Sequence, residues 1–305
     1  MAGPLLRQDF PRAYSSRLAY IKRYLATDDW PEHDPAQWER YFKIETSDRM
    51  REEFPEFGGL GLFNTMGENE NVTYDQAVQG PFKRVTHVLR GLGYQVGYLA
   101  AKHDLDGIVA RLAPALGRSH RVSIQTQAAD LWNNAMGTTT TADGLSLCNT
   151  AHTNIRGGGT QSNRSATDAA LGQTALETGI VAFSQIKDFE GQPMPLAAKT
   201  LLIPPALRPI AHELTQSTLR HDTTTHADNF IHGMVSPEWW AYLSSSTRWF
   251  ILGPKEQMNV LWIWNIRPET SHGFDFDKEA AKTKMLYASS TVAPDWRGTY
   301  GSNGA

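Results

Sequence analysis

A single cysteine, Cys148, in a chain of 305 residues excludes an internal disulfide framework, so the fold must rest on packing and hydrogen bonds. That usage fits folding in a reducing cytoplasm. No apolar run approaches the ~20 residues that a membrane-spanning helix needs, and the first residues carry Arg7 and Asp9 where a signal peptide would have its apolar core. Neither sign of charge dominates. With 29 Lys and Arg against 32 Asp and Glu, the formal net charge is −3, which excludes a globally basic surface and confines any nucleic-acid contact to a local segment. The spacings that mark catalysis are also lacking: there is no His-Glu-x-x-His pair, and no Gly-Lys-Ser/Thr follows a glycine loop.

What is present is a 40% hydrophobic content, enough to bury a sizeable core in one or two domains. Nine tryptophans are many for this length, and Trp239-Trp240, Trp249-Phe250 and Trp262-Ile263-Trp264 cluster in sequence. Large aromatics of this kind read first as core and second as contacts between subunits.

Residues 1–50 mix Pro, Trp and charge without sustained periodicity and read as an extended arm, with Tyr14–Leu25 able to form a short helix that aligns Leu18, Ile21 and Leu25. Within residues 1–25, Arg7, Arg12, Arg17, Lys22 and Arg23 face only Asp9. This basic segment suits either nucleic acid or water. The Gly-rich stretch 54–67 reads as a break. Strand character starts at Tyr74, Gln76 and Val78 and, after Gly80-Pro81, resumes from Phe82 to Tyr98, which predicts a β-ribbon too thin to be stable without a partner surface.

From Asp104 the apolar positions Ile108, Leu112, Leu116, Ile124, Ala128 and Leu131 recur at helical spacing and predict the longest helix, with Pro114 and Gly117 leaving open a straight rod, a kinked one or two segments. A second helix is expected from Ser165, with Asp168 in a capping-box-like position, to Ile186. Thr200–Ile203 reads as a buried strand and Leu207–Leu219 as a helix. Asn259–Ile266 and Ala281–Thr291 read as strands joined by a turn near His272-Gly273. The class is α+β, with no internal repeat.

Three constellations could carry chemistry. His221, His226 and His232, interleaved with Asp222 and Asp228, have metal-ligand chemistry but no familiar metal spacing, and a solvated loop is the preferred reading. Cys148 and His152 could be nucleophile and base, although a buried thiol beside a hydrogen-bonded imidazole accounts for the pair without catalysis. Gly157-Gly158-Gly159 reads as a flexible loop in preference to a phosphate cradle. No catalytic, cofactor-binding or metal residue is assigned.

The segment Leu147-Cys148-Asn149-Thr150-Ala151-His152 with its following glycines, Leu202–Leu207, Trp249-Phe250, and the run from Asp295-Trp296-Arg297-Gly298 to Ser302 together resemble the major head subunit of tailed bacteriophages, the Mu-like prophage branch in particular. The resemblance implies the Hong Kong 97-type capsid fold: an amino-terminal arm (1–50), an extended loop or β-ribbon (51–103), a peripheral domain with a spine helix (104–167), an axial domain (168–259), and a return to the peripheral domain with a C-terminal tail (260–305). It implies a non-enzymatic protein without cofactors or membrane contact. Such a protein self-assembles as pentamers and hexamers, in the bacterial host cytoplasm, into the icosahedral head shell of the virion around double-stranded DNA. Scaffolding, portal and decoration proteins, and packaged DNA touching the basic arm, are the implied partners. A built-in scaffolding segment is not expected, and no Lys–Asn cross-link is assigned. An encapsulin-like protein-cargo shell, and a metal-dependent hydrolase using His221, His226 and His232, are the alternatives.

Overall fold

The computed structural model describes residues 34, 36–104, 107–156, 158–219 and 228–304. The expected arm up to residue 33, including the Tyr14–Leu25 helix, lies outside them, as do His221, Asp222, His226 and Gly157.

Two four-stranded sheets frame the fold. The first runs in the order β1 (Lys43–Thr46), β10 (Leu261–Asp275), β11 (Ala280–Val292) and β4 (Val88–Gly97), with β1 parallel to β10 and the remaining neighbours antiparallel. The second runs β12 (Thr299–Ser302), β9 (Trp249–Leu252), β7 (Thr200–Ile203) and β8 (Ser236–Trp239), parallel only between β7 and β8. β9 and β12 are buried at every position, and β7 at all but its first, as continuous apolar or small runs covered on both faces must be. β10 changes character along its length. Leu261–Trp264 are buried, whereas 266–274 are exposed, so the strand begins in the core and leaves it.

The helix α2 (Ile108–Asn133) bridges the sheets, with Gln127 accepting a hydrogen bond from Ser289 of β11 and Trp132 packing 5.5 Å from Phe250 of β9. Its first turn is capped by Asp104, whose two carboxylate oxygens accept from the amides of Ile108 (2.9 Å) and Val109 (2.8 Å). The helix is continuous through Pro114, and Gly117 does not break it either. Pro114 is exposed, in the less buried half of the helix, where loss of one main-chain bond is tolerated. Deeper along α2, Gln125 accepts from Trp240 Nε1 (2.9 Å) and donates to the Asp34 carbonyl (3.2 Å), so a buried amide carries no unpaired atom. Of the tryptophans clustered in sequence, Trp240, Trp249, Trp262 and Trp264 are buried in one cluster with Trp38, Trp132 and Trp296, while Trp239 is half-buried against it.

Three boundaries differ from those read in the sequence. The second helix, α3 (Gln173–Ser184), starts well after Ser165, because Asp168 sits at φ 49° and its carboxylate binds the Arg164 guanidinium and the Asn303 amide instead of capping a turn. The β10–β11 turn falls at residues 276–279. His272 and Gly273 are strand residues, paired with Thr283 and Lys282, because β11 is held on its other side by β4 and so carries a long polar partner. The ribbon consists of β2 (Arg51–Phe57) and β3 (Gln79–Thr86), while residues 74–78 form no strand. The run from Phe82 to Tyr98 divides at His87, with β3 in the ribbon, β4 in the large sheet and the short helix α1 (Tyr98–Lys102) following. Thr200–Ile203 and, in α4 (Arg208–Gln216), the following helix form where expected.

Because α2 runs unbroken across position 114, Pro114→Ala restores a main-chain bond to the Ala110 carbonyl. The substitution is expected to raise stability by about 2 kcal/mol in denaturant or thermal unfolding; an unchanged or lowered melting temperature contradicts a continuous helix there.

Candidate assembly site

The root of the ribbon is shaped by a proline. Pro55 has no amide to give to the β2–β3 ladder, and the register shifts between Pro55 and Phe57, which leaves Glu56 as the bulged residue. Its neighbours on the strand are exposed or half-buried, yet Glu56 itself is 8% exposed. Gly80 on β3 allows the close approach, since a side chain there would collide with Ile155.

The Glu56 carboxyl is turned toward a buried polar junction that joins distant parts of the chain. Asn163, fully buried, donates to the carbonyls of Leu147 (2.8 Å) and Thr299 (3.2 Å) and accepts from the Asn149 amide (2.8 Å). His152 bridges Asp143 (Nδ1 to Oδ2, 2.6 Å) and Asn163 (Nε2 to Oδ1, 3.2 Å), with its ring stacked on Trp296 at 4.5 Å. Asp295 accepts from the amide and Nη1 of Arg297, whose guanidinium lies 3.9 Å over the Phe189 ring and donates to the Lys187 carbonyl (2.7 Å). Gly298, at φ 82°, makes the turn that returns Thr299 to Asn163.

Electrostatics follow from this packing. Burial, then the negative charge of Asp295, push the Glu56 carboxyl from its ordinary 4.5 to about 7, with Arg297 opposing the shift. Burial also works against the Asp143 carboxylate, but hydrogen bonds from His152 and Thr141 hold its pKa below the usual value. The Cys148 thiol, fully buried, is pushed up to about 12. Both nitrogens of His152 are engaged by Asp143 and Asn163, so no nucleophile and base pair forms with Cys148. The pair serves the interior.

Beyond the root, residues 59–79 are exposed without exception. This tip is moored to the body chiefly through Asp75, which binds Arg156 through both carboxylate oxygens and accepts from the Gly61 amide (2.8 Å). Those hydrogen bonds hold the Asp75 carboxyl well below the usual carboxylate range. Arg156 also reaches Glu190 at 3.5 Å. It lies on the turn between β5 (His152–Thr153) and β6 (Thr160–Gln161), where Gly158 and Gly159 take positive φ, and this turn supports the tip. Of the histidine-rich segment, Asp228 and His232 are described and both are exposed, and no group of metal-ligating side chains is assembled among the described residues.

Sequence reasoning singled out Leu147–His152 and Asp295–Ser302 without seeing that they meet. It missed Glu56, Asp143 and Asn163. The signal for Glu56 was a proline followed by a carboxylate inside a strand; Asn163 left none.

The described residues form a hydrophobic body from which thin, exposed and partly apolar elements project, an arrangement suited to a subunit that other subunits cover. Residues 85–302 match the phage capsid protein family, and the chain belongs to it. It has the Hong Kong 97-type fold of a tailed-phage major capsid protein, the non-enzymatic component that forms the head shell of the virion. Solved structures agree on the fold: the mature capsid of bacteriophage PhiM1 has a TM-score of 0.58 at 9% identity, covering 90% of this chain and 88% of that one. The bacteriophage JBD30 capsid decorated with minor capsid protein trimers gives 0.57 at 14% identity, covering 74% and 99%, and the capsid of Ralstonia phage GP4 gives 0.55 at 9%, covering 87% and 86%. No curated protein matches the chain.

Because the Glu56 pKa is raised on burial, the docked root is stabilised fully below about pH 4.5, and that contribution is lost as pH rises through about 7. The span corresponds to at most about 3 kcal/mol. Hydrogen exchange of residues 51–57 and 79–86 is expected to accelerate between pH 5 and 8 beyond the intrinsic chemical rate, and Glu56→Gln is expected to flatten that dependence. Identical pH profiles for the two proteins would refute this assignment.

Proposed function

We propose that the chain builds its shell as pentamers and hexamers, with residues 51–103 as the extended loop, 104–167 as the peripheral domain, 168–259 as the axial domain, 260–305 returning to the periphery, and residues 1–50 as the arm. The fully exposed, partly apolar ribbon tip carries this reading, because such a surface is stable in water only when it has a partner to cover it. The Mu-like head branch is supported by the two segments that carried the resemblance, Leu147–His152 and Asp295–Ser302, which share the Asn163 junction. Scaffolding, portal and decoration proteins fit the same lattice as partners. The basic residues 1–25 offer packaged double-stranded DNA a local cationic segment.

Many modest contacts acting together make such a shell, so no single interface has to be strong. Deleting residues 68–80 removes most of the tip and little of the interior. The variant is expected to keep the wild-type near-ultraviolet spectrum and melting temperature to within a few degrees, while particles fall by roughly tenfold or more in electron micrographs. Normal particles from the deletion contradict the proposal.

A further inference from the structure

Where α2 crosses the large sheet, helix and sheet do not close fully on each other. Arg90 and Leu92 of β4 lie opposite Tyr287 and Met285 of β11, and cross-strand partners at alternate positions share one face, so these four side chains meet the helix together. On α2, Leu116, Ser119, His120 and Ser123 fall on one stripe at helical spacing. Two of the four are serines, too short to fill the space, and a cavity of about 80 Å³ remains between the stripe and the strands. At ~30 Å³ for each water, it has room for about three waters or about three linked carbons.

The walls are apolar at Leu92, Leu116 and Met285, but the polar groups that reach the cavity are not satisfied within the chain. His120 Nε2 is buried without a hydrogen-bond partner, which costs free energy unless something occupies the site. The Ser123 hydroxyl donates to the Ser119 carbonyl of its own helix instead (2.7 Å). Burial, then the charge of Arg121, lowers the His120 pKa, so the ring is neutral near pH 7 and, as the Nε2–H tautomer, a donor. The Tyr287 and His120 rings meet edge to face at 5.0 Å, and burial raises the Tyr287 pKa, so that hydroxyl keeps its proton. Arg90 brings the charge. No Asp or Glu lines the cavity, and among the described residues the Arg90 guanidinium has a long contact to the Val88 carbonyl (3.4 Å) and no ion pair.

An apolar floor, neutral donors and an uncompensated cation are together complementary to an anion carried on a short hydrocarbon chain. We propose that this cavity binds a small monocarboxylate with a tail of about three carbons, its head meeting Arg90 and His120 and its tail lying against Leu92, Leu116 and Met285. A cationic ligand would face Arg90 with no carboxylate to hold it, and a wholly apolar one would leave His120 Nε2 unpaired. The bound acid ties α2 to β4 and β11 from between them. The site lies within one chain, so it stands or falls apart from the shell-forming reading.

Saturation-transfer NMR on the full chain, in whichever assembly state it adopts, tests this with butyrate as the probe at fixed ionic strength. Butyrate is expected to receive saturation, most strongly at its methyl end, with a dissociation constant of roughly 1–10 mM. 1-Butanol lacks the charge, butylammonium reverses it and acetate lacks the tail, and each is expected to bind roughly tenfold more weakly. Arg90→Gln is expected to weaken butyrate roughly tenfold, and His120→Phe at least as much. No transfer to butyrate at about 50 mM overturns the proposal and leaves the cavity to water. So does any of the three other probes matching butyrate, or both variants binding it as the wild type does. The four probes are compared on the wild-type chain, so a substitution that fails to fold leaves the test intact.

Discussion

The requirement that buried polar groups find partners organises this molecule around Asn163. Its side chain has two donors and an acceptor to place in an interior without water, and it places them on Leu147, Thr299, Asn149 and His152. These partners come from segments more than a hundred residues apart in sequence. Satisfying one amide therefore fixes the position of the C-terminal strand relative to the loop that follows α2. His152, Asp143 and the Arg297 guanidinium extend the same network toward the ribbon, and the flat stack of His152 on Trp296 gives it an apolar floor. Leaving any member unpaired in such a site costs more than the net worth of the bond it made.

Around that junction the stabilising material is concentrated in a few places. Trp38, Trp262 and Trp264 pack within 4.5 to 6.4 Å of one another, and Trp132 joins them to Phe250 through Phe42. The outer halves of β10 and the ribbon contribute little to this core. Their backbones are paired along most of their length, with register shifts at Pro55–Phe57 and between Ile266 and Glu269, while most of their side chains face solvent. A body that is stable without its projections can present those projections in slightly different orientations, as a closed shell of identical subunits requires.

The elements legible in the sequence were those whose side chains report their surroundings directly. Apolar residues at helical spacing marked α2, and unbroken apolar runs marked β7 and the inner end of β10. Failures came where local chemistry had been recruited by distant partners. Ser165 and Asp168 had the form of a helix cap, but Arg164 and the Asn303 amide claimed the carboxylate. Pro55 and the glycines after it looked like the end of regular structure, whereas a two-stranded ribbon has free edges on which a proline can sit. His272-Gly273 looked like a turn because no apolar period ran through it. There the pairing of β11 with β4 as well as β10, invisible in either strand alone, set the length. The Asn163 junction could not be read at all, since hydrogen-bonding to carbonyls is not encoded in the identity of the residues that supply them.

Beside the packing of Phe54 and Val85 on Leu261, Ile263 and Val292, the ribbon is attached to its own body by two ionisable contacts, and neither is strong near neutral pH. Burial, and then the charges of Asp295 and Asp143 already in the site, disfavour the ionised form of Glu56, so docking is best when the carboxyl carries a proton. Asp75 and Arg156 make a well-aligned pair, but both are partly in solvent, where salt screens the attraction and side-chain entropy offsets much of it. A firmly buried root would lock the ribbon onto its own subunit, and an unattached one would be an open edge prone to indiscriminate pairing. A carboxylate held in a bulge beside other carboxylates gives an intermediate case. The ribbon keeps its direction from the β2–β3 ladder and from Gly80, and with Phe54 and Val85 packed at its root, a neighbouring subunit competes chiefly with the contacts of Glu56 and Asp75.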